Sequence, residues 1–80
     1  MIQTDNFNVW LKENTKYSPR VIKDIISRVK RADSILPIEN NDVYLFYLNN
    51  NKSFKLLTPS VRSQIRKAVT FYLQFENSKE

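Results

Sequence analysis

The sequence predicts an all-α fold, a compact orthogonal bundle of four helices in one domain. The chain of 80 residues contains no glycine, the residue that supplies the positive-φ positions of tight hairpin turns. Apolar residues recur at steps of three and four, the helical period. Ser18-Pro19 and Thr58-Pro59-Ser60 mark helix starts, because a hydroxyl caps free N–H groups and proline is tolerated at the first helical position. Eighty residues leave room for a single core, expected to be ordered from about residue 5 to residue 76 of the domain 1–80.

The first helix is expected to begin after Asp5 or Asn6, either of which can cap it. Phe7, Trp10 and Leu11 share one face, and the pattern fades by Asn14. Ile2 is placed to fold back as a hydrophobic staple. The second helix opens with Ser18 as N-cap and Pro19 at the first helical position, and Pro37 bounds it. Ile22, Ile25, Ile26 and Val29 form its apolar stripe, with Leu36 as a continuation. The opposite half carries Arg20, Lys23, Lys30 and Arg31, with Ser27 and Ser34 between them. Arg28 lies on one flank, and Asp24 and Asp33 interrupt the face.

The third helix is short, with Asn41 or Asp42 as its cap, and residues 43–48 are apolar all round. A strand competes there, since β-branched and aromatic residues favour sheets, but no second strand exists to pair with it. Such a segment is wedged between neighbours or faces a partner. Tyr44 and Tyr47 are read as core packing with surface hydroxyls, or alternatively as a protein interface. Residues 49–57 form a connection with room for a helical turn around Phe54, and the asparagine run 49–51 suits helix ends that need left-handed geometry. The last helix spans 60–75, with Val61, Ile65, Ala68, Val69 and Tyr72 on its apolar side and a frayed end over 77–80. Phe7, Trp10, Phe46, Phe71, Tyr72 and Phe75 are read as core aromatics that tie short helices together.

Charge gives the functional expectation. The net charge is +5 and the isoelectric point is about 9.7, which favours a polyanionic partner, with double-stranded DNA the first candidate. The last helix sets Arg62, Ser63, Arg66, Lys67 and Thr70 against its apolar side, and no acidic residue falls between Thr58 and Phe75. A one-signed face with small hydroxyls suits a phosphate backbone. The DNA-contacting set is therefore Arg20, Lys23, Lys30, Arg31, Arg62, Ser63, Arg66, Lys67 and Thr70. Arg62 and Arg66, one turn apart and read as exposed, are the pair expected to reach base edges, since arginine grips guanine O6 and N7.

Other chemistry is not expected. The chain has no cysteine and no histidine, so there is no disulfide, no thiolate nucleophile and no imidazole ligand. Its eight carboxylates are scattered, which leaves no metal cluster. Without glycine there is no phosphate-cradling loop of the usual kind. A bundle this small offers little pocket volume. No enzyme activity, cofactor or small-molecule substrate is expected. The longest apolar run is far short of a membrane span, and residues 1–18 are polar with isolated aromatics, unlike a secretory leader. The expectation is a cytoplasmic protein with no membrane partner.

The order of signals carries a resemblance. Phe7-x-x-Trp10-Leu11, Ser18 opening a long second helix, a short third helix, and the ending Ala68-Val-Thr-Phe71-Tyr72-Leu-Gln-Phe75 resemble the N-terminal core-binding domain of tyrosine recombinases, the SAM-like helical domain of phage integrases. The resemblance covers nearly the whole chain and rests on hydrophobic patterns. It implies one half of a clamp around duplex DNA, with the second and fourth helices against the major groove and its phosphates. Those roles fall on the helices opening at Ser18 and Ser60. The family's chemistry lies in a separate C-terminal domain with a tyrosine nucleophile, two arginines and histidine. Tyr17, Tyr44, Tyr47 and Tyr72 have no such constellation around them. The resemblance implies a non-catalytic docking module used in DNA recombination, either a piece of a longer recombinase or a free-standing relative. The alternative is a small phage or plasmid regulator that binds an integrase-like protein or repressor through exposed parts of 43–48 or 71–75.

Overall fold

A computed structural model describes residues 3–78. The chain is all-helical, with α1 at Thr4–Asn14, α2 at Pro19–Ile35, α3 at Tyr44–Asn49, α4 at Lys52–Lys55 and α5 at Pro59–Asn77. The described residues contain no strand. Among the described residues the four expected helices become five, through a single turn around Phe54.

Helix α1 starts earlier than its expected caps. Gln3 is the N-cap, with no side-chain hydrogen bond to the first turn, and Asp5 and Asn6 lie inside the helix. Asp5 stands in the first turn, where a carboxylate faces the positive end of the helix dipole. The start is tied from a distance, because the Tyr72 hydroxyl accepts the Gln3 backbone N–H at 3.0 Å. Ile2, the expected staple, lies outside the described residues. At the other end Thr15 closes the helix, its hydroxyl donating to the Leu11 carbonyl at 2.6 Å.

Helix α2 follows its sequence signals. The Ser18 hydroxyl accepts the Val21 N–H at 3.4 Å, and Pro19 occupies the first helical position. Leu36 leaves the helix at φ −149°, ψ 113°, as the residue before a proline does. Asp33 does not belong to the basic face. It is half-buried, and its carboxylate accepts the Ile38 N–H at 2.9 Å, which pins the chain as it leaves the helix. The Tyr44 hydroxyl donates to the Leu36 carbonyl at 2.5 Å from the far side of the same loop.

Helix α3 is helical rather than extended, with Val43 as an N-cap that makes no side-chain bond. Asn41 instead builds the preceding turn by accepting the Val43 N–H at 3.0 Å. Tyr44 and Leu48 are buried, whereas Phe46 is 64 % exposed and Tyr47 59 %. Phe46 therefore leaves the set of core aromatics. At about 100° per residue it points away from the Tyr44–Leu48 side. In α4, Asn51 accepts the Phe54 N–H at 3.1 Å and Phe54 is fully buried. No described residue has positive φ, so the asparagine run serves as a cap acceptor and not in left-handed geometry. Thr58 caps α5 by accepting the Val61 N–H at 3.3 Å. The helix continues through Asn77, past the expected end at Phe75, and Ser78 closes it.

Helices α2 and α5 form the largest helix–helix contact, and α1 lies against both. Tyr17, just before α2, packs on Phe71 late in α5. Ala32, late in α2, shares a cluster with Ile65 early in α5. The two helices thus run in opposite senses. The first core cluster joins Phe7, Leu11, Ile22, Ile25, Val29, Ala68, Tyr72 and Phe75. The second joins Ala32, Tyr44, Leu48, Phe54, Ile65 and Val69. Ile38 packs against both, so the Asp33 anchor sets the joint between them. The Phe7 ring meets Tyr72 edge-on at 5.0 Å and Phe75 at 5.4 Å. Each such side chain, fully buried, contributes about 1.5–3 kcal/mol.

Candidate nucleic-acid interface

The packing of α2 on α5 decides where each cation points. Ile22, Ile25, Val29 and Ala32 turn α2 inward. Ile65, Ala68, Val69, Tyr72 and Phe75 do the same for α5. The remaining faces divide into two flanks and one outward side per helix, at about 100° per residue.

Between α2 and α5 runs a half-open groove of about 200 Å³, lined by Val21, Ile25 and Arg28 from α2, by Gln64, Lys67, Ala68 and Phe71 from α5, and by Tyr17. Tyr17 and Phe71 meet edge-on at 6.0 Å. One cation from each helix, Arg28 and Lys67, faces this groove. Arg20 and Arg31 are exposed and lie further out on the Arg28 side of α2, with Asp24 between Arg31 and Arg28 in angle. Ser63 is exposed on the outward side of α5 next to Lys67. This side of the molecule unites Arg20, Arg31, Ser63 and Lys67 of the sequence-based set and adds Arg28. The arginine was legible as a flank residue, but only the position of α5 shows that this flank is shared.

The other members of the set go elsewhere. Lys23 and Lys30 line a shallow depression with Thr4, Asp5 and Asn8 of α1, on the opposite flank of α2. Their charge is partly opposed there by Asp5. Arg62 and Arg66 are half-buried rather than exposed. They turn toward the α3–α4 end, where Arg66 Nη1 donates to Asn49 Oδ1 at 3.3 Å. The Nε of Arg62 is buried with no acceptor. Apolar neighbours on α3 and α4 flank this side of α5, which the helical wheel alone does not reveal. The Thr70 hydroxyl donates to the Arg66 carbonyl at 2.8 Å, so in this geometry it offers only a lone pair and repels a phosphate oxygen.

Of the two tyrosines considered for an interface, Tyr44 is withdrawn. It is 2 % exposed and its hydroxyl is bound to the Leu36 carbonyl. Burial, with a smaller contribution from the Asp33 carboxylate, pushes its phenol up to about 12. Tyr72 is pushed up to about 12 as well, by burial first and by the hydrogen-bonded Glu76 carboxylate, against the opposing Gln3 N–H. Neither phenol is poised to ionise as a nucleophile. Tyr47 remains at the surface, edge-on to Phe46 at 5.7 Å, and Leu56 is 87 % exposed.

Among the described residues, no group of three or more acidic, histidine or cysteine side chains is gathered to hold a metal ion, and no helix is long and apolar enough to cross a membrane. No protein-family model matches the chain, and neither a curated protein nor a solved structure matches it.

Proposed function

We propose that this chain is a non-catalytic module that docks on duplex DNA with the α2–α5 side of the bundle, in the manner its sequence suggests by resemblance to the core-binding domain of tyrosine recombinases. The observation that carries the reading is the meeting of Arg28 and Lys67 across one groove, with Arg20, Arg31 and Ser63 exposed beside them. Packed helices lie about 8–10 Å apart, and the major groove is about 12 Å wide, so one helix enters it and the other rests on the flanking phosphates. Helix α5 presents the short polar side chains Ser60 and Ser63 outward and suits the groove. Helix α2 presents long arginines, which suit phosphates.

The test is a gel-shift titration with a 20-base-pair duplex at low salt. The Arg20→Ala/Arg31→Ala/Lys67→Ala variant alters only exposed side chains, so its helical circular dichroism stays as in the parent. DNA retention is expected to fall at least tenfold. Unchanged retention by the folded variant rejects this reading.

The second reading, a regulator that binds an integrase-like protein or repressor, is favoured by the exposed pair Phe46 and Tyr47. It predicts that a Phe46→Ser/Tyr47→Ser variant folds normally but fails to be pulled down with such a partner. Normal pull-down counts against it.

A further inference from the structure

The α2–α5 groove has a property that phosphate binding does not use. Its floor is apolar, formed by Val21, Ile25, Ala68 and Phe71, and Tyr17 closes one end. The sugar–phosphate backbone of a duplex gains little from such a floor. Cations stand on both walls, Arg28 and Lys67, and no carboxylate lines the groove.

We infer that this groove is a docking slot for an acidic peptide segment of a partner protein, with one large aromatic side chain seated on the floor and its flanking carboxylates on Arg28 and Lys67. Three features select that occupant. A volume of about 200 Å³ lies below the roughly 300–1,000 Å³ of small-molecule sites, and the groove is too open to keep an acyl chain dry. It matches one aromatic anchor, the residue class that dominates interface hot spots, and the Tyr17–Phe71 pair supplies ring edges for it. The two cations repel a basic segment and pair with carboxylates, and Arg28 is half-buried, where such a pair is screened less than at the open surface. The inference shares Arg28 and Lys67 with the DNA reading and adds the groove floor, so a change confined to the aromatic anchor of the peptide tests it apart from DNA docking.

The experiment is an NMR titration of the whole chain with the peptide acetyl-Asp-Glu-Trp-Glu-Asp-amide, alongside a copy with Ser in place of Trp, a copy with amides in place of the carboxylates, and a 12-base-pair duplex. The Trp peptide is expected to shift Tyr17, Val21, Ala68 and Phe71 most. Both altered peptides are expected to bind at least tenfold more weakly. Val21 is partly exposed, so Val21→Glu is expected to keep the fold and to lose the Trp peptide tenfold or more. Should that variant fail to fold, the three peptides on the parent chain still decide. Equal binding of the Trp and Ser peptides, shifts centred on α3 or outside the groove, no shifts at millimolar peptide, or stronger shifts of the floor residues by the duplex would each overturn the inference.

Discussion

Arg66 of α5 donates a hydrogen bond to Asn49 at the end of α3, 3.3 Å away across the surface. The arginine whose spacing suggests base reading is thus engaged with its own fold, while its neighbour Lys67 turns the other way, into the groove with α2. One residue step on a helix, about 100°, separates a structural cation from a free one. Arg66→Ala is therefore expected to cost about 0.5–1 kcal/mol of stability, the range of an exposed hydrogen bond, and to weaken DNA retention less than Lys67→Ala does. Denaturant titration of Arg66→Ala, Asn49→Ala and the double variant gives the coupling. Additive single losses would show that the pair contributes nothing.

A docking surface built from phosphate contacts carries a salt signature. Docking that neutralises about six phosphates is expected to lose roughly a thousandfold in affinity between 50 and 200 mM salt, since each contact releases a condensed counterion. The measurement is the slope of log affinity against log salt concentration for the parent chain. The Lys67→Ala variant is expected to lower that slope by about one contact. A flat slope would mean that the outward cations are merely solvated.

These two cases show what the sequence made legible and what it did not. Local signals were strong. Ser18 and Thr58 cap the helices that follow them, Pro37 bounds α2, and the buried stripes fall at the expected steps. The expected caps of α1 and α3 failed. Phe7, Trp10, Tyr72 and Phe75 do tie α1 to α5 as expected, but several other inferences that needed a neighbour failed too. Phe46 reads as core because it is large and apolar, yet it lies on the outer side of a helix only six residues long. Asp33 reads as a surface charge, yet the loop it anchors folds back onto it. Arg62 and Arg66 look exposed on a wheel that omits α3 and α4, and Arg28 looks marginal on a wheel that omits α5. Periodicity states which side of a helix is apolar. It does not state which flank another helix will cover.

The stability of the small core is expected to be concentrated in few side chains. Phe54 is fully buried, although α4 is only four residues long. Phe54→Ala leaves a cavity against Ile65, Val69 and Leu48 in the second cluster and is expected to cost about 3–5 kcal/mol. That is a large share of the stability of a domain this size, so the variant is expected to be substantially unfolded at 37 °C. Leu56, two residues on, is almost fully exposed, and Leu56→Ser is expected to change stability by less than about 0.5 kcal/mol. Thermal melts of the two variants test the contrast. Equal melting temperatures would mean that α4 does not hold the second cluster.

The buried phenols set an alkaline limit. Tyr44 and Tyr72 are each pushed up to about 12 in the fold, against an unfolded value near 10. The unfolded chain therefore loses these protons first as pH rises. Their contribution to stability is complete below pH 10 and is lost between pH 10 and 12. The melting temperature is expected to fall across that window, and a Tyr44→Phe/Tyr72→Phe variant, which has no phenol to ionise at either position, is expected to fall less steeply. At pH 7 the same variant is less stable than the parent, because the Leu36 carbonyl and the Gln3 N–H lose their partners. Melts followed by circular dichroism from pH 7 to 11.5 compare the two slopes. Parallel slopes would show that the two hydroxyls ionise in the folded chain as readily as in water, and that burial in the two clusters does not protect them.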